Sequence, residues 1–222
     1  FYPNKIISNH ILNSGEAPLW DKYRFSGQSF LTEIQSQNFY PLYYIFSMFA
    51  AEKQIDYLTA LHLMLAGFFM FILSHYLSNN IYIAFFAGTA FMFSGVFGQA
   101  LKDSNYGIIS TLCWMPIILF FFIKTLRERN TQNIILTAAC ISLQILAGHL
   151  QFVFYSLLLI AAVFIYDIIA TRKNILPKIS RYLLIGVLSF LFVAFQLLPT
   201  FYYSKLTDRG GGVSFNFATG LS

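Results

Sequence analysis

Long apolar stretches separated by short polar segments dominate this chain. A transmembrane helix needs about 20 predominantly apolar residues, within a range of about 17–25. Six stretches meet or approach this length, and we predict a transmembrane helix at each: Tyr57–Leu77, Ile81–Phe97, Ile108–Ile123, Gln132–Ala147, Phe152–Ala170 and Tyr182–Phe201. The fourth is the least apolar because it carries Thr, Ser and Gln, which a helix surrounded by other helices tolerates.

Two local signals refine this pattern. Ser78-Asn79-Asn80 predicts a tight turn, so the first two membrane helices should form a hairpin. Pro116 lies inside the third predicted helix, where we expect a kink whose freed carbonyl is satisfied by neighbouring groups.

The first 56 residues follow a different pattern, because Gly and Pro interrupt them and no stretch is long enough to cross a membrane. Ser29–Asn38 has a helical pattern. Pro41–Lys53 predicts an amphipathic helix lying in the membrane interface, with Pro at its first position and Tyr at headgroup level. The predicted organisation is an extracytoplasmic region over residues 1–56, a six-helix transmembrane domain over 57–201 and the start of an outer loop over 202–222.

The amino-acid composition also indicates a membrane protein. Hydrophobic residues make up 57% of the chain and charged residues 10%, whereas a soluble domain carries about 25% charged residues. The expected fold class is therefore an all-α polytopic membrane protein. Cys113 and Cys140 lie in apolar stretches without metal-ligand spacing, so they are typical of core residues. The scattered Lys and Arg residues do not indicate a nucleic-acid partner.

Basic residues predict the orientation. Two loops carry an excess of Lys and Arg: Lys124, Arg127 and Arg129 in one, and Arg172, Lys173, Lys178 and Arg181 in the other. The positive-inside rule places these loops in the cytoplasm. Alternation of the helices then places residues 1–56, Gln99–Gly107, Gly148–Gln151 and the segment after Phe201 outside.

The candidate functional residues all fall on this outer side, in four clusters. They are Glu16, Trp20, Asp21 and Arg24; Lys102 and Asp103; His149 and Gln151; and Arg209. Each has a plainer interpretation, since loop carboxylates are often only solvated and a His at a helix end is often only a cap. The glycines after Arg209 lack the strand-to-helix context of a phosphate-binding loop. A polar outer chamber fits an enzyme acting on a membrane-borne substrate and, nearly as well, the mouth of a transporter.

Short motifs in a fixed order resemble the YfhO family of bacterial membrane proteins. They are G-E-x-P-L-W-x-x-Y-x-x-S-G-Q from Gly15, Q-S-Q-N-F-Y-P-L from Gln35, L-H-L from Leu61 with Ala66-Gly67, F-S-G from Phe93, W-M-P from Trp114, G-H-L-Q from Gly148, and L-P from Leu198 with Ser204 and Arg209. The resemblance runs nearly end to end. The chain departs from the family at Asp21-Lys22, where Asn-Pro is usual, at Ser29, where Pro follows the Gly-x pair, and at Leu150, where Pro is usual.

The resemblance implies a C-type glycosyltransferase fold in the bacterial cytoplasmic membrane. The implied reaction is sugar transfer from a polyprenyl-phosphate-linked donor to a cell-surface glycopolymer or lipid acceptor. The usual catalytic Asp follows a first membrane helix, which would precede Phe1, so the chain is expected to be a fragment. A divalent metal is compatible with this fold, although no ligand set is visible.

The resemblance also suggests roles for the candidate residues. Glu16 and Asp21 are candidates for the acceptor side, and Lys102, His149 and Arg209 for the phosphate side. Trp20 and Phe25 are expected to turn inward over the helices as part of an ordered lid, with Gly27 allowing the chain to reverse. Lys5 and Lys53 are expected to be neutral control positions. Two alternatives stay open: a transporter of lipid-linked saccharides and a non-catalytic assembly subunit.

Overall fold

The computed structural model describes residues 2–23, 26–128, 130–172 and 175–206, and nearly all of its regular structure is helical. The helices are α1 (Tyr2–Asn13), α2 (Pro41–Ile45), α3 (Ala51–Ser78), α4 (Ile81–Met92), α5 (Gly95–Lys102), α6 (Tyr106–Leu112), α7 (Met115–Arg127), α8 (Thr131–Leu146), α9 (Leu150–Thr171) and α10 (Ile175–Ser204). A 3₁₀ turn covers Ile34–Ser36. Two short antiparallel strands, β1 (Trp20–Asp21) and β2 (Gln28–Ser29), pair Trp20 with Ser29.

Five helical stretches in the described part of the chain are long and apolar enough to cross a membrane. They are Ala51–Ser78, Ile81–Lys102, Tyr106–Arg127, Leu150–Thr171 and Ile175–Ser204. The chain is thus an all-helical polytopic membrane protein, as its composition predicted. The remaining predicted membrane helix, Gln132–Ala147, forms the 16-residue α8. Its buried polar residues include Asn133, Thr137 and Gln144, so neighbouring helices enclose it as its composition suggested.

The predicted turn between the first two membrane helices is confirmed. Asn79 ends α3 in the left-handed conformation, and the Asn80 side chain accepts hydrogen bonds from the backbone N–H groups of Tyr82 and Ile83 at the start of α4. The two helices then pack closely through glycines. A Cβ atom on Gly88 would lie 2.7 Å from the backbone oxygen of Gly67.

Pro116 marks a break rather than a kink. α6 ends at Leu112, and α7 begins at Met115 with Pro116 in its first turn. A proline is well tolerated there because the first N–H groups of a helix have no intrahelical acceptor.

The predicted interfacial helix over Pro41–Lys53 is wrong as a single element. Pro41 does begin a helix, but this helix ends at Ile45, and residues from Ala51 onward already belong to α3. The helical pattern over Ser29–Asn38 yields only the 3₁₀ turn at Ile34–Ser36.

One end of the bundle, which we call the basic end, carries Lys124, Arg127, Arg172, Lys178 and Arg181. Arg181 Nη1 donates a hydrogen bond to the backbone oxygen of Thr125 at 3.1 Å. Lys178 pairs with Asp167 and donates to Thr171 Oγ1 at 2.7 Å. The opposite end, which we call the loop end, carries α1, the β1–β2 hairpin and the turns at residues 103–105 and 147–149.

Candidate functional site

A polar pocket of about 270 Å³ lies at the loop end. Its lining comes from four separate parts of the chain: Asn4; Glu33 and Gln35; Asp103, Ser104, Asn105, Tyr106 and Gly107; and Gly148 and His149. The tertiary fold therefore brings the predicted Asp103 and His149 clusters to one cavity.

Asp103 lies at the turn between α5 and α6. Its backbone N–H donates to the Gln99 oxygen at 2.9 Å, and its carboxylate accepts a hydrogen bond from Gln99 Nε2 at 2.8 Å. Ser104 follows with a φ of 53°, which reverses the chain toward α6. The neighbouring Lys102 is exposed and does not line the pocket in the described structure.

His149 lies at the junction between α8 and α9. Its backbone N–H donates to Thr111 Oγ1 at 3.2 Å, and its ring packs edge-to-face against Phe152 at 5.1 Å. It occupies the N-cap position of α9, but its side chain forms no capping hydrogen bond. Among the described residues its buried Nδ1 atom has no hydrogen-bond partner.

Burial lowers the pKa of His149, with a smaller opposing effect from a backbone hydrogen bond. The neutral imidazole is therefore favoured at pH 7. A role beside a phosphate would then depend on a hydrogen bond from a ring N–H and not on a positive charge.

Gly148 allows the 33–37 segment to approach this junction. It has a φ of +101°, and a Cβ atom there would lie 3.0 Å from Gln37 Cγ and 3.1 Å from the Ile34 oxygen. Any other residue would be strained and would push the segment away. The Gly-His pair thus serves both the backbone packing and the pocket.

Sequence reasoning missed Asn4, Glu33 and Gln35 as pocket residues. Asn4 Nδ2 donates a hydrogen bond to Glu33 Oε1 at 3.2 Å, which joins α1 to the loop. Gln35 begins the Q-S-Q-N-F-Y-P-L motif, and this was the one available signal. Asn4 and Glu33 carry no local signal, because their placement depends on contacts between distant segments.

Buried hydrogen bonds hold the segment of residues 33–40 in place. Gln37 Nε2 donates to Ser110 Oγ at 2.6 Å and to the Ala147 oxygen at 2.5 Å. Trp114 Nε1 donates to the Tyr40 hydroxyl at 2.9 Å, and this hydroxyl lies 2.7 Å from His62 Nε2.

The tautomer of His62 follows from its neighbours. Its Nδ1 atom faces the Leu58 backbone oxygen, which can only accept, so Nδ1 carries the proton and Nε2 accepts from Tyr40. Tyr40, His62 and Trp114 all belong to the motifs quoted above, and the structure gives them a positioning role.

The structure does not place several predicted site residues in the pocket. Glu16 is exposed after α1, and Gln151 donates to the Tyr155 hydroxyl at 2.7 Å on an exposed surface. Asp21 is buried and accepts a hydrogen bond from the Tyr23 N–H at 2.8 Å. Arg24 and Arg209 lie outside the described residues, as does Phe25.

The expected inward packing of Trp20 over the helices is wrong. Its side chain is 54% exposed, and its ring lies against Gly27, where a Cβ atom would approach it to 2.7 Å. The chain reversal at Gly27 is confirmed by its φ of +119°. The Trp20 ring therefore packs within the β1–β2 hairpin and not against the helical bundle.

The described residues contain no group of three or more His, Cys, Asp and Glu side chains arranged to hold a metal ion. Comparisons of this chain with protein-family models, with curated proteins and with solved structures find no match.

Proposed function

We propose that this chain is part of a membrane-embedded glycosyltransferase with a C-type fold, similar to the YfhO family. It moves a sugar from a polyprenyl-phosphate-linked donor to a cell-surface glycopolymer or lipid acceptor. One observation carries the proposal: a polar pocket with carboxylate, imidazole and amide side chains lies at the end of a membrane-spanning bundle. The sugar of a lipid-anchored donor would reach the bundle at this depth.

The pocket chemistry suits a saccharide. Amide and hydroxyl groups of Asn4, Gln35 and Asn105 can exchange hydrogen bonds with sugar hydroxyls. Tyr106 also lines the pocket, and an aromatic side chain can pack against a sugar ring. Drug-sized ligands occupy pockets of about 300–1,000 Å³, so a cavity of about 270 Å³ suits a small ligand such as a single sugar.

The proposed reaction is a displacement at the anomeric carbon. The acceptor hydroxyl oxygen forms the new bond, the bond to the phosphate oxygen breaks, and that oxygen keeps the electron pair. A carboxylate takes the hydroxyl proton as general base. Asp103 and Glu33 are the carboxylates of the described pocket, while the resemblance expects a further Asp before Phe1.

Charge stabilisation at the leaving phosphate completes the proposal. A neutral His149 would donate a ring N–H, and Lys102 is the candidate cation of the described loop end. The resemblance adds Arg209, which lies outside the described residues. The positive-inside rule supports a cytoplasmic basic end and an external loop end. On this reading the pocket faces the outside of the bacterial cytoplasmic membrane.

Transport would require a polar path across the bundle. Buried serines of the described helices instead donate to backbone carbonyls of their own helices: Ser142 to Ala138 at 2.8 Å, Ser156 to Phe152 at 3.0 Å and Ser189 to Ile185 at 2.7 Å. Such bonds satisfy the hydroxyls without water.

Transfer assays on the full-length protein test the proposal. The protein is reconstituted in nanodiscs with a bacterial cell-envelope glycan extract as acceptor and with polyprenyl-phosphate-linked hexose or N-acetylhexosamine carrying a labelled sugar, and the acceptor-dependent release of polyprenyl phosphate is measured. Losing a hydrogen bond to a charged group costs about 1.5–3 kcal/mol, which corresponds to about 10- to 150-fold in rate if it is made in the transition state. Asp103→Asn and His149→Ala should each reduce release by at least about tenfold.

Matched controls use the same changes at exposed positions. Asp56→Asn and His10→Ala should leave the release rate unchanged, because both side chains lie outside the pocket. Release that persists at the wild-type rate in both pocket variants would place the chemistry elsewhere.

A further inference from the structure

Two adjacent polar residues of α6 contact both walls of the pocket from the interior of the bundle. Ser110 and Thr111 are 5% and 0% exposed, and neither lines the pocket. Ser110 Oγ accepts the hydrogen bond from Gln37 that holds the 33–37 segment. Thr111 Oγ1 accepts a hydrogen bond from the backbone N–H of His149 at 3.2 Å. The second turn of α6 therefore supports the pocket without belonging to it.

Thr111 is itself held in a fixed position. Its backbone oxygen accepts a hydrogen bond from Gln144 Nε2 of α8 at 3.1 Å. The same Nε2 group donates to Ser156 Oγ of α9 at 2.7 Å, and the Gln144 side chain is 0% exposed. A buried polar group of this kind has few other partners to choose from, so it rigidifies its surroundings. Thr111 thus lies where α6, α8 and α9 are joined by hydrogen bonds.

The bond from Thr111 acts on a junction that would otherwise be free to rotate. His149 precedes α9, and its side chain forms no capping hydrogen bond. The residue before it, Gly148, has no Cβ atom, so the backbone there can adopt more conformations than at any other residue type. A hydrogen bond to the backbone N–H of His149 restricts this freedom and fixes the direction in which the imidazole leaves the main chain.

The position of the imidazole bears on the pocket. Its Cδ2 atom would lie 3.9 Å from a Cβ atom on Gly107, which lines the pocket on α6. The ring also packs edge-to-face against Phe152 with centroids 5.1 Å apart. A rotation of the 148–149 backbone would change both distances. The ring would then no longer face the space beside Gly107.

We propose that Thr111 is a positioning residue for His149 in sugar transfer, an inference that rests on the proposed function. Thr111 does not touch the substrate. Its hydroxyl oxygen holds the His149 backbone so that a ring N–H points at the leaving phosphate. Misplacement of a reacting group by about 1 Å can reduce a rate about 100-fold. The role needs a hydroxyl oxygen as acceptor, which serine supplies and valine lacks.

Substitutions at Thr111 test this requirement in the assay of acceptor-dependent polyprenyl phosphate release. Thr111→Val keeps nearly the same shape and should reduce release at least about fivefold. Thr111→Ser restores the hydroxyl and should retain at least about half of the wild-type rate. Thr137→Val is the matched control, because Thr137 is also 0% exposed but donates to the Asn133 oxygen of its own helix at 2.6 Å. Its release rate should equal that of the wild type.

A double variant separates positioning from general support of the fold. If Thr111 acts through the imidazole, Thr111→Val should lower release by less than about twofold further once His149→Ala is present, because residues that act as a unit are not additive. If the two losses multiply instead, Thr111 supports the pocket as a whole, and the inference is overturned.

Nuclear magnetic resonance measures the ring position without any assay of transfer. The full-length protein is labelled with ¹³C-histidine in nanodiscs, and the His149 ring signal is assigned by its loss in His149→Ala. Thr111→Val should shift this signal, because the ring moves relative to Phe152, whereas Thr111→Ser should leave it in place. An unchanged signal in Thr111→Val would overturn the inference.

The inference and the proposed function fail separately. If the wild type transfers no sugar but Thr111→Val shifts the His149 signal, the hydrogen bond positions His149 and the proposed function is rejected. If Thr111→Val transfers sugar at the wild-type rate, the proposed function stands and the positioning role of Thr111 is rejected.

Discussion

Lys5 shows how the environment of one residue can differ from what its sequence suggests. Its side chain is 0% exposed on α1, although we expected Lys5 to be a neutral control position. Its Nζ atom donates to the Ser36 oxygen at 2.9 Å and lies 3.6 Å from the centroid of the Tyr43 ring. Lys5 is thus unsuitable as a neutral control, and it helps to hold the loop that supplies Glu33 and Gln35 to the pocket.

Burial of Lys5 determines whether the stability of the protein rises or falls with pH. Desolvation lowers its pKa well below the ordinary value of 10.5. Between the lowered native pKa and the unfolded value, the unfolded state binds more protons than the native state, so stability rises with pH in that window. Lys5→Met should abolish this contribution, which is at most about 1.4 kcal/mol per pH unit.

The measurement is thermal unfolding of the wild type and of Lys5→Met between pH 7 and pH 10. The difference between the two curves isolates Lys5, because the other titrating groups are shared. Lys53→Met changes an exposed lysine and should leave the pH dependence as it is. If the unfolding temperatures of the wild type and Lys5→Met changed with pH in parallel, burial would not lower the pKa of Lys5.

At the scale of elements, glycine packing decides how closely α3 and α4 approach. The Asn79-Asn80 turn joins them, but the close contact depends on the absence of a side chain at Gly88. Gly88→Ala should destabilise the protein by about 1–3 kcal/mol, because the added methyl group meets the Gly67 backbone oxygen at 2.7 Å. The measurement is the free energy of unfolding in detergent micelles.

The same substitution at Gly98 should not destabilise the protein. Gly98 lies within α5, and a Cβ atom there meets nothing within 4 Å. Alanine is favoured over glycine in a helix by about 0.8–1.0 kcal/mol, so Gly98→Ala should be neutral or stabilising. Equal effects of the two substitutions would refute the close-packing account of Gly88.

At the scale of the whole molecule, the two ends of the bundle differ in charge and in accessibility. Cysteines introduced at Ser26 and Asn105 of the loop end should react with a membrane-impermeant thiol reagent added to intact bacterial cells. A cysteine at Asn130 of the basic end should not, by the positive-inside rule. The positive-inside rule predicts the same result for a cysteine at Asn174, which lies outside the described residues.

The background of this experiment is favourable, since both native cysteines, Cys113 and Cys140, are buried. Reactivity must be compared before and after the cells are permeabilised. Labelling of the Asn130 variant alone in intact cells would invert the orientation and remove the external pocket from the proposed function.

The helices themselves were largely readable from the sequence. A run of about 20 apolar residues has one stable arrangement in a bilayer, because the helix satisfies its own backbone hydrogen bonds. The Asn79-Asn80 turn and the chain reversal at Gly27 were also readable, since both depend on the conformational preferences of a few adjacent residues. The predicted helix boundaries were wrong at Pro41–Lys53. The last three residues of this predicted interfacial helix belong to α3, which begins at Ala51.

The pocket was only partly readable, and the reason is physical. Asp103 and His149 stood out as polar groups at the ends of apolar stretches, and alternation of the helices predicted that they share one face of the membrane. Amino-acid order alone therefore determined the membrane class, most helices and the end of the bundle at which Asp103 and His149 lie. The tertiary structure decided that Asn4 and Glu33 join the pocket, that Lys5 is buried and that Trp20 stays on its hairpin, because those outcomes depend on contacts between segments far apart in the chain.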